Sequence, residues 1–219
     1  YIRRNQIMKK IISGGTGEFT DKKSRFIANI YHIEDEDMAV KIIEQLRKKY
    51  WDARHNCYAY VLGDKSEIQR FSDDGEPSGT AGKPILEVIT GNECGNCLCV
   101  VTRYFGGVLL GTGGLIRAYT NAAKEALSVC RLGELTEGVH AFLDVDYNYV
   151  GKVQYICAQN DITIVNTEYA DGVTFELMME NAARNVLEKN MTEMSSGKIC
   201  LRDTCSMQMY RDDTGKLCR

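Results

Sequence analysis

The residues of this chain best placed to do chemistry run from Arg103 to Leu115, Arg-Tyr-Phe-Gly-Gly-Val-Leu-Leu-Gly-Thr-Gly-Gly-Leu. Glycine lacks a Cβ, tolerates positive φ and lets a ligand or another backbone come close. Gly106, Gly107, Gly111, Gly113 and Gly114 all fall in this one stretch. The apolar run before it, Cys97 to Thr102, reads as a buried strand; after it Leu115, Tyr119, Ala122, Ala123, Ala126 and Cys130 recur at helical spacing. The glycines therefore occupy a strand-to-helix turn. Thr112 is expected to cap the helix, and the free N–H groups of a helix start favour an anion such as phosphate. Arg103, leaving the strand end, adds a charged donor able to grip phosphate bidentately. The stretch has neither the Gly-Lys-Ser/Thr of a Walker loop nor the spaced dinucleotide fingerprint. Two readings stand: an anion cradle, or a tight connection that packs on the protein itself.

A second polar stretch, Ser72 to Pro84, holds both prolines of the chain, Pro77 and Pro84, with Gly75, Gly79 and Gly82, so it reads as loop. Asp73, Asp74 and Glu76 offer the oxygen ligands that a hard cation such as Mg²⁺ prefers, and Ser78, Thr80 and Lys83 add polar groups. The ordinary alternative is that these side chains hydrogen-bond their own backbone, as Asp and Ser do in turns. That reading is favoured, and no metal or cofactor is expected. If the loop flanks the Gly-rich turn, Asp73 or Asp74 would orient Arg103. Arg70, which precedes the loop, and Lys83 are candidate anion-binding cations alongside Arg103, Thr112 and the glycines 106, 107, 113 and 114. His55, heading the strand-like segment His-Asn-Cys-Tyr-Ala-Tyr, is the histidine kept open as functional, whereas His32 and His140 read as packed or surface residues.

The sequence holds nine cysteines. Cys94 and Cys97 lack a second ligand pair at zinc spacing and open a strand rather than a helix, which argues against metal and redox roles. Cys57, Cys99, Cys130 and Cys157 fall in apolar periodic segments, where cysteine acts as a small core residue. Reduced thiols are expected.

The elements that must position these residues follow from periodicity. The chain has 219 residues and net charge −3, which rules out a global basic field for nucleic acid. Residues 1–138 carry net charge +1 and residues 139–219 carry −4, so a polyanion partner would favour a local patch in the first part. No apolar run of membrane-spanning length occurs, nor an N-terminal signal segment, so a cytoplasmic protein is expected. Ser24 to Ile33 reads as a strand. Acidic Glu34 to Asp37 opens a helix whose stripe is Ala39, Ile42, Ile43, Leu46 and Tyr50. His55 to Leu62 and Glu67 to Phe71 form a hairpin, and Pro84 to Thr90 a short helix. Arg131 to Gly138 is read as a break, so domains are placed at 1–135 and 138–206, with a polar tail at 207–219. In the second domain Val139 to Asp146, a helix capped by Asn148, Ile162 to Tyr169, Val173 to Met179, a helix about Ala182 to Leu187, and Ile199 to Met207 give β-α-β-β-α-β, the ferredoxin-like order. The fold class is α+β.

Three segments in one order, His55 to Tyr60, Arg70 to Pro84 and Val101 to Leu115, closely resemble the IMPACT/YigZ family. The resemblance spans roughly residues 16–135, and residues 139–206 resemble the small second domain of its two-domain bacterial members. It implies a first domain of the β-α type found in a small-subunit ribosomal protein and in domain IV of the translocation factor EF-G. Eukaryotic members regulate translation by keeping an initiation-factor kinase from its activator and use an extra N-terminal module. This sequence offers no room for that module before the first motif, so that role is not carried over. For the bacterial type the resemblance implies binding of nucleic acid or the ribosome and transfers no catalytic residues. Three functions remain open. The first is a translation-associated binding protein for RNA or the ribosome. The second is an enzyme on a phosphorylated or nucleotide ligand, with Asp73, Asp74 and Glu76 as metal or base groups. The third is a module that binds a partner protein.

Overall fold

A computed structural model describes residues 9–63, 66–212 and 214–218. The chain is a mixed α+β protein that divides after Gly133 into two compact units.

The first unit is built on a sheet whose central strands are apolar on both faces. Five form an antiparallel sheet in the order β2-β3-β7-β4-β5, from β2 (Thr16–Asp21), β3 (Ser24–His32), β4 (His55–Leu62), β5 (Ile68–Ser72) and β7 (Cys97–Tyr104). Side chains alternate between the two faces of a strand. Cys57, Ala59 and Val61 of β4 and Cys97, Cys99 and Val101 of β7 therefore share one face, buried with residues of helices α2 (Gly82–Gly91) and α3 (Gly111–Ser128). Tyr60, Leu62, Leu98 and Val100 take the other face, buried with Ala39, Ile43 and Leu46 of α1 (Glu36–Lys49). That double burial is why β7 shows a continuous apolar run rather than alternation. The acidic start of α1 behaves as the helix dipole demands: the Asp35 side chain accepts from the Met38 N–H at 2.7 Å, and Arg47, Lys48 and Lys49 close the helix. A short β1 (Lys9–Ser13) pairs in parallel with β6 (Cys94–Gly95). The sequence pattern missed β1 and β2. β1 is short and opens with two lysines, and of β2 only Phe19 packs on the core.

The second unit runs β8 (Arg131–Val145), a 3-10 turn (Tyr147–Tyr149), α4 (Val150–Gln159), β9 (Thr163–Tyr169), β10 (Val173–Met179), α5 (Asn181–Ser195), β11 (Leu201–Asp212) and β12 (Leu217–Cys218). The strands order as β12-β11-β8-β10-β9. One core holds alternate residues of β8 and β10 with Val153, Ile156 and Cys157 of α4 and Leu187 and Met191 of α5, so both helices cover one face.

Three expectations are corrected. Arg131–Gly138 is not a break: β8 starts at Arg131, and the division after Gly133 falls inside that strand. The residues after 206 are not a free tail, because β11 continues to Asp212 and Met209 and Leu217 are buried with Met178. The Asp212 carboxylate holds the return turn, accepting from the N–H groups of Thr214 and Lys216. Asn148 caps no helix: it lies in the 3-10 turn, and α4 starts without a side-chain cap.

Candidate functional site

The site begins with register. Arg103 on β7 lies opposite His55 on β4 and opposite Phe26 on β3, so two motif-bearing strands and β3 set one row across the sheet. Position 103 follows 97, 99 and 101 on the face that α2 and α3 cover. At this end of the sheet the cover thins to the first turn of α3, and a cleft of about 490 Å³ opens. Arg54, His55, Glu76, Pro77, Arg103, Phe105 and the start of α3 from Leu109 to Thr112, with Leu115, line it. It lies within the size range of small-ligand sites, about 300–1,000 Å³.

Beneath the cleft lies a buried polar chain. Arg103 Nη1 donates to Glu76 Oε1 at 2.7 Å, with side chains only 7% and 4% exposed. Tyr119 Oη donates to the same oxygen at 2.8 Å, and the Cys57 thiol donates to Tyr119 Oη at 3.3 Å. Ser24 Oγ accepts from Arg103 Nη2 at 3.4 Å and from the Gly106 N–H at 3.1 Å. The Arg103 guanidinium carbon lies 5.4 Å from the Phe26 ring centre and 5.6 Å from that of Phe105, within cation–π range. Arg103 Nε is buried with no hydrogen-bond partner among the described residues. Burial pushes the Cys57 thiol and the Tyr119 phenol far above their ordinary values, so both stay protonated donors.

Several sequence assignments change here. Glu76, not Asp73 or Asp74, holds Arg103. Asp73 ties the loop to the start of α2, its Oδ2 accepting from the Gly79 N–H and its Oδ1 from those of Ala81 and Gly82. Asp74 accepts from Arg47 at 2.6 Å and from the Asn56 N–H at 2.6 Å. These carboxylates are spent on separate partners, which removes them as a joint metal or base group. Among the described residues no group of three or more His, Cys, Asp or Glu is placed to hold a metal ion. Thr80 donates to the Pro77 carbonyl at 2.7 Å and is buried. Ser78 and Lys83 are exposed and do not line the cleft. Arg70 sits on β5, where its guanidinium lies 4.0 Å from Glu36.

Thr112 does not cap α3. The helix begins at Gly111 with Leu110 in the cap position and no side-chain cap bond, and Thr112 is exposed in the first turn. The N–H groups of that turn are left without a capping side chain. Gly106 is required by packing, because a Cβ there would sit 2.0 Å from the Lys23 carbonyl carbon. Gly111 differs: its φ is +72° and a Cβ would meet nothing within 4 Å. Gly107 lies in the connection between β7 and α3, whereas Gly113 and Gly114 lie within the first turn of α3, and none of the three lines the cleft. His55 Nδ1 lies 2.9 Å from the Asp74 carbonyl. A carbonyl only accepts, so Nδ1 carries a proton, and in a neutral ring Nε2 is the acceptor.

Sequence reasoning passed over the apolar walls, Phe105, Leu109, Leu110 and Pro77. Leu109 is 82% exposed and Phe105 50% exposed. The signal was available in Phe105 and Leu109, large apolar residues of the glycine turn that enter no core. Tyr119 read as one more residue of the core stripe, and nothing in its spacing marked it as a partner of Glu76. Cys94 and Cys97 are core residues. Burial pushes the Cys94 thiol up to about 11 and that of Cys97 well above its ordinary value, whereas ligation needs the thiolate.

Residues 22–127 match the model of the Impact N-terminal domain, and residues 143–198 match a domain of unknown function, DUF1949. The Bacillus subtilis IMPACT family member YvyE is 38% identical over 191 residues, covering 86% of this chain and 87% of that protein. The chain belongs to the IMPACT family. A second IMPACT family member, YigZ of Escherichia coli, is 36% identical over 182 residues, covering 82% of this chain and 89% of that protein. A crystal structure titled as that of a hypothetical protein matches with TM-score 0.57 at 34% identity, covering 90% of this chain and 96% of that one. The cleft residues Arg54, His55, Glu76, Arg103 and Thr112 all fall within the Impact N-terminal match. No helix among the described residues is long and apolar enough to cross a membrane.

Proposed function

We propose that this IMPACT family member is a translation-associated binding protein that takes RNA through the cleft of its first unit. The observation that carries the reading is the uncapped start of α3 opening into the same cleft as Arg54 and Arg103. A helix start supplies oriented N–H donors and partial positive charge, and phosphate is the usual anion for such a site. Arg54 is exposed and makes no ion pair among the described residues, so its charge is available. Membership of a family whose eukaryotic branch regulates translation supplies the context. The strand order of the second unit, with its helices on one face, supports the ferredoxin-like reading, and the three-layer first unit is compatible with a domain of the ribosomal-protein and EF-G type. The acidic balance of residues 139–219 argues against the second unit as the polyanion site.

The test is binding of single-stranded RNA by the full chain across a salt series. Wild type should lose affinity as salt rises. Arg54→Ala should weaken binding about 10-fold or more, the worth of one charged hydrogen bond, and flatten the salt slope by about 0.7. No RNA affinity, or an unchanged Arg54→Ala, defeats the reading. Capture of one protein instead of RNA would favour a protein-binding role for the exposed apolar rim.

A further inference from the structure

We infer that the cleft is a subsite for one unstacked nucleotide, its phosphate at the start of α3 and its base on the Phe105 wall. The inference deepens the RNA-binding reading by naming the unit that is recognised.

The wall chemistry is divided. Phe105, Leu109, Leu110 and Leu115 give one apolar side, with Phe105 and Leu109 open to solvent. Arg54, Arg103 and the uncapped helix start give the other. A free anion such as phosphate has no use for the apolar side, and a purely apolar ligand would leave the donors unsatisfied. A nucleotide carries both an aromatic face and an anion, and bases stack on aromatic side chains in single-strand recognition.

Charge sets the anion's size. Arg103 is neutralised by Glu76 at 2.7 Å. That leaves Arg54 and the helix start, roughly one and a half positive charges, which suits one phosphate rather than a polyphosphate chain.

An independent observation comes from Arg103. Its side chain is more than nine-tenths buried and lines the cleft, yet its Nε has no partner among the described residues. A buried donor left unpaired is costly, and such groups are rare in native proteins. The Arg103 guanidinium lines the cavity, and a phosphate seated there would bond its edge. With His55 Nδ1 tied to the Asp74 carbonyl, Nε2 of the neutral ring is an acceptor suited to a ribose hydroxyl.

The experiment is calorimetric titration of the full chain with adenosine 5′-monophosphate, inorganic phosphate and adenosine. The nucleotide should bind at least 10-fold more tightly than phosphate or adenosine. Phe105→Ala and Leu109→Ser should each weaken the nucleotide several-fold and leave phosphate unchanged. Leu109 is so exposed that its variant is expected to fold, which guards the test if Phe105→Ala does not. Arg70→Ala, on another face, should change nothing. Equal affinity for phosphate and nucleotide, or indifference to both wall variants, overturns the subsite. RNA binding that persists without mononucleotide binding overturns this inference alone. Mononucleotide binding without RNA binding overturns the RNA reading and keeps the subsite.

Discussion

Removing Glu76 tests whether the cleft rests on its buried ion pair. In Glu76→Ala, Arg103 Nη1 loses an acceptor at 2.7 Å and Tyr119 Oη one at 2.8 Å. The guanidinium then keeps Ser24 Oγ at 3.4 Å and two aromatic rings, none of which balances its charge. Breaking a buried pair by removing one partner costs about 3–5 kcal/mol, because a desolvated charge is stranded. The orphaned phenol adds about 1 kcal/mol or more. A loss of about 4 kcal/mol corresponds to a melting shift of roughly 15 °C for a unit that ends at Gly133. Arg103→Met strands Glu76 in turn, although Tyr119 still donates to it, so its cost should fall at the lower end of that range. In the double variant Arg103→Met/Glu76→Leu neither charge is stranded. Its loss should therefore fall short of the sum of the single losses by about 1–3 kcal/mol, a coupling usual for residues in direct contact. Urea denaturation followed by circular dichroism measures all three. Single losses below about 1 kcal/mol, or strictly additive losses, would refute a buried and mutually dependent pair. The result also separates two roles of Arg103. A strut lowers stability when lost, whereas a simple ligand contact lowers affinity alone.

Further outcomes are expected elsewhere. Cys200 and Cys205 are exposed, whereas Cys57, Cys97 and Cys99 are buried with thiols raised by burial. A thiol reagent near neutral pH should label the first pair in the native protein and reach the others only on unfolding; rapid native labelling of Cys97 would contradict its core position. Bonds from Arg211 and Thr136 hold the Glu180 carboxyl below its ordinary value of 4.5. The folded state therefore binds this proton less readily than the unfolded chain, and the stabilisation is present above that value and lost as pH falls through the lower folded one. Urea midpoints taken from about pH 6 to about pH 3 should decline less steeply in Glu180→Gln, and identical slopes would remove Glu180 from the acid response.

Much of the scaffold was legible in the sequence because burial leaves a local imprint. The apolar run of Cys97 to Thr102 announced a strand covered on both faces, and the Leu115 to Ala126 spacing announced α3. The acids of Glu34 to Asp37 marked the start of α1, and β9 and β10 followed from the strand-like segments Ile162 to Tyr169 and Val173 to Met179. Peripheral strands left a fainter imprint, since β2 buries no side chain fully and β11 only Met209 and Asp212. The three motif segments were also visible as unusual chemistry, which located the cleft in the chain but not its working parts.

Those parts were decided by the tertiary structure. Asp73, Asp74 and Glu76 are near neighbours of like chemistry, and nothing local distinguishes them. Asp73 is drawn to the N–H groups that open α2, Asp74 to Arg47 and Asn56, and Glu76 alone turns inward. Strand register places Arg103 opposite His55 and Phe26, while Arg70 is left on β5 near Glu36. A side chain's partner depends on groups tens of residues away, and those distances close only when the sheet forms. The sequence determined which segments carry the polar and glycine chemistry; the packed sheet determined which of their atoms meet.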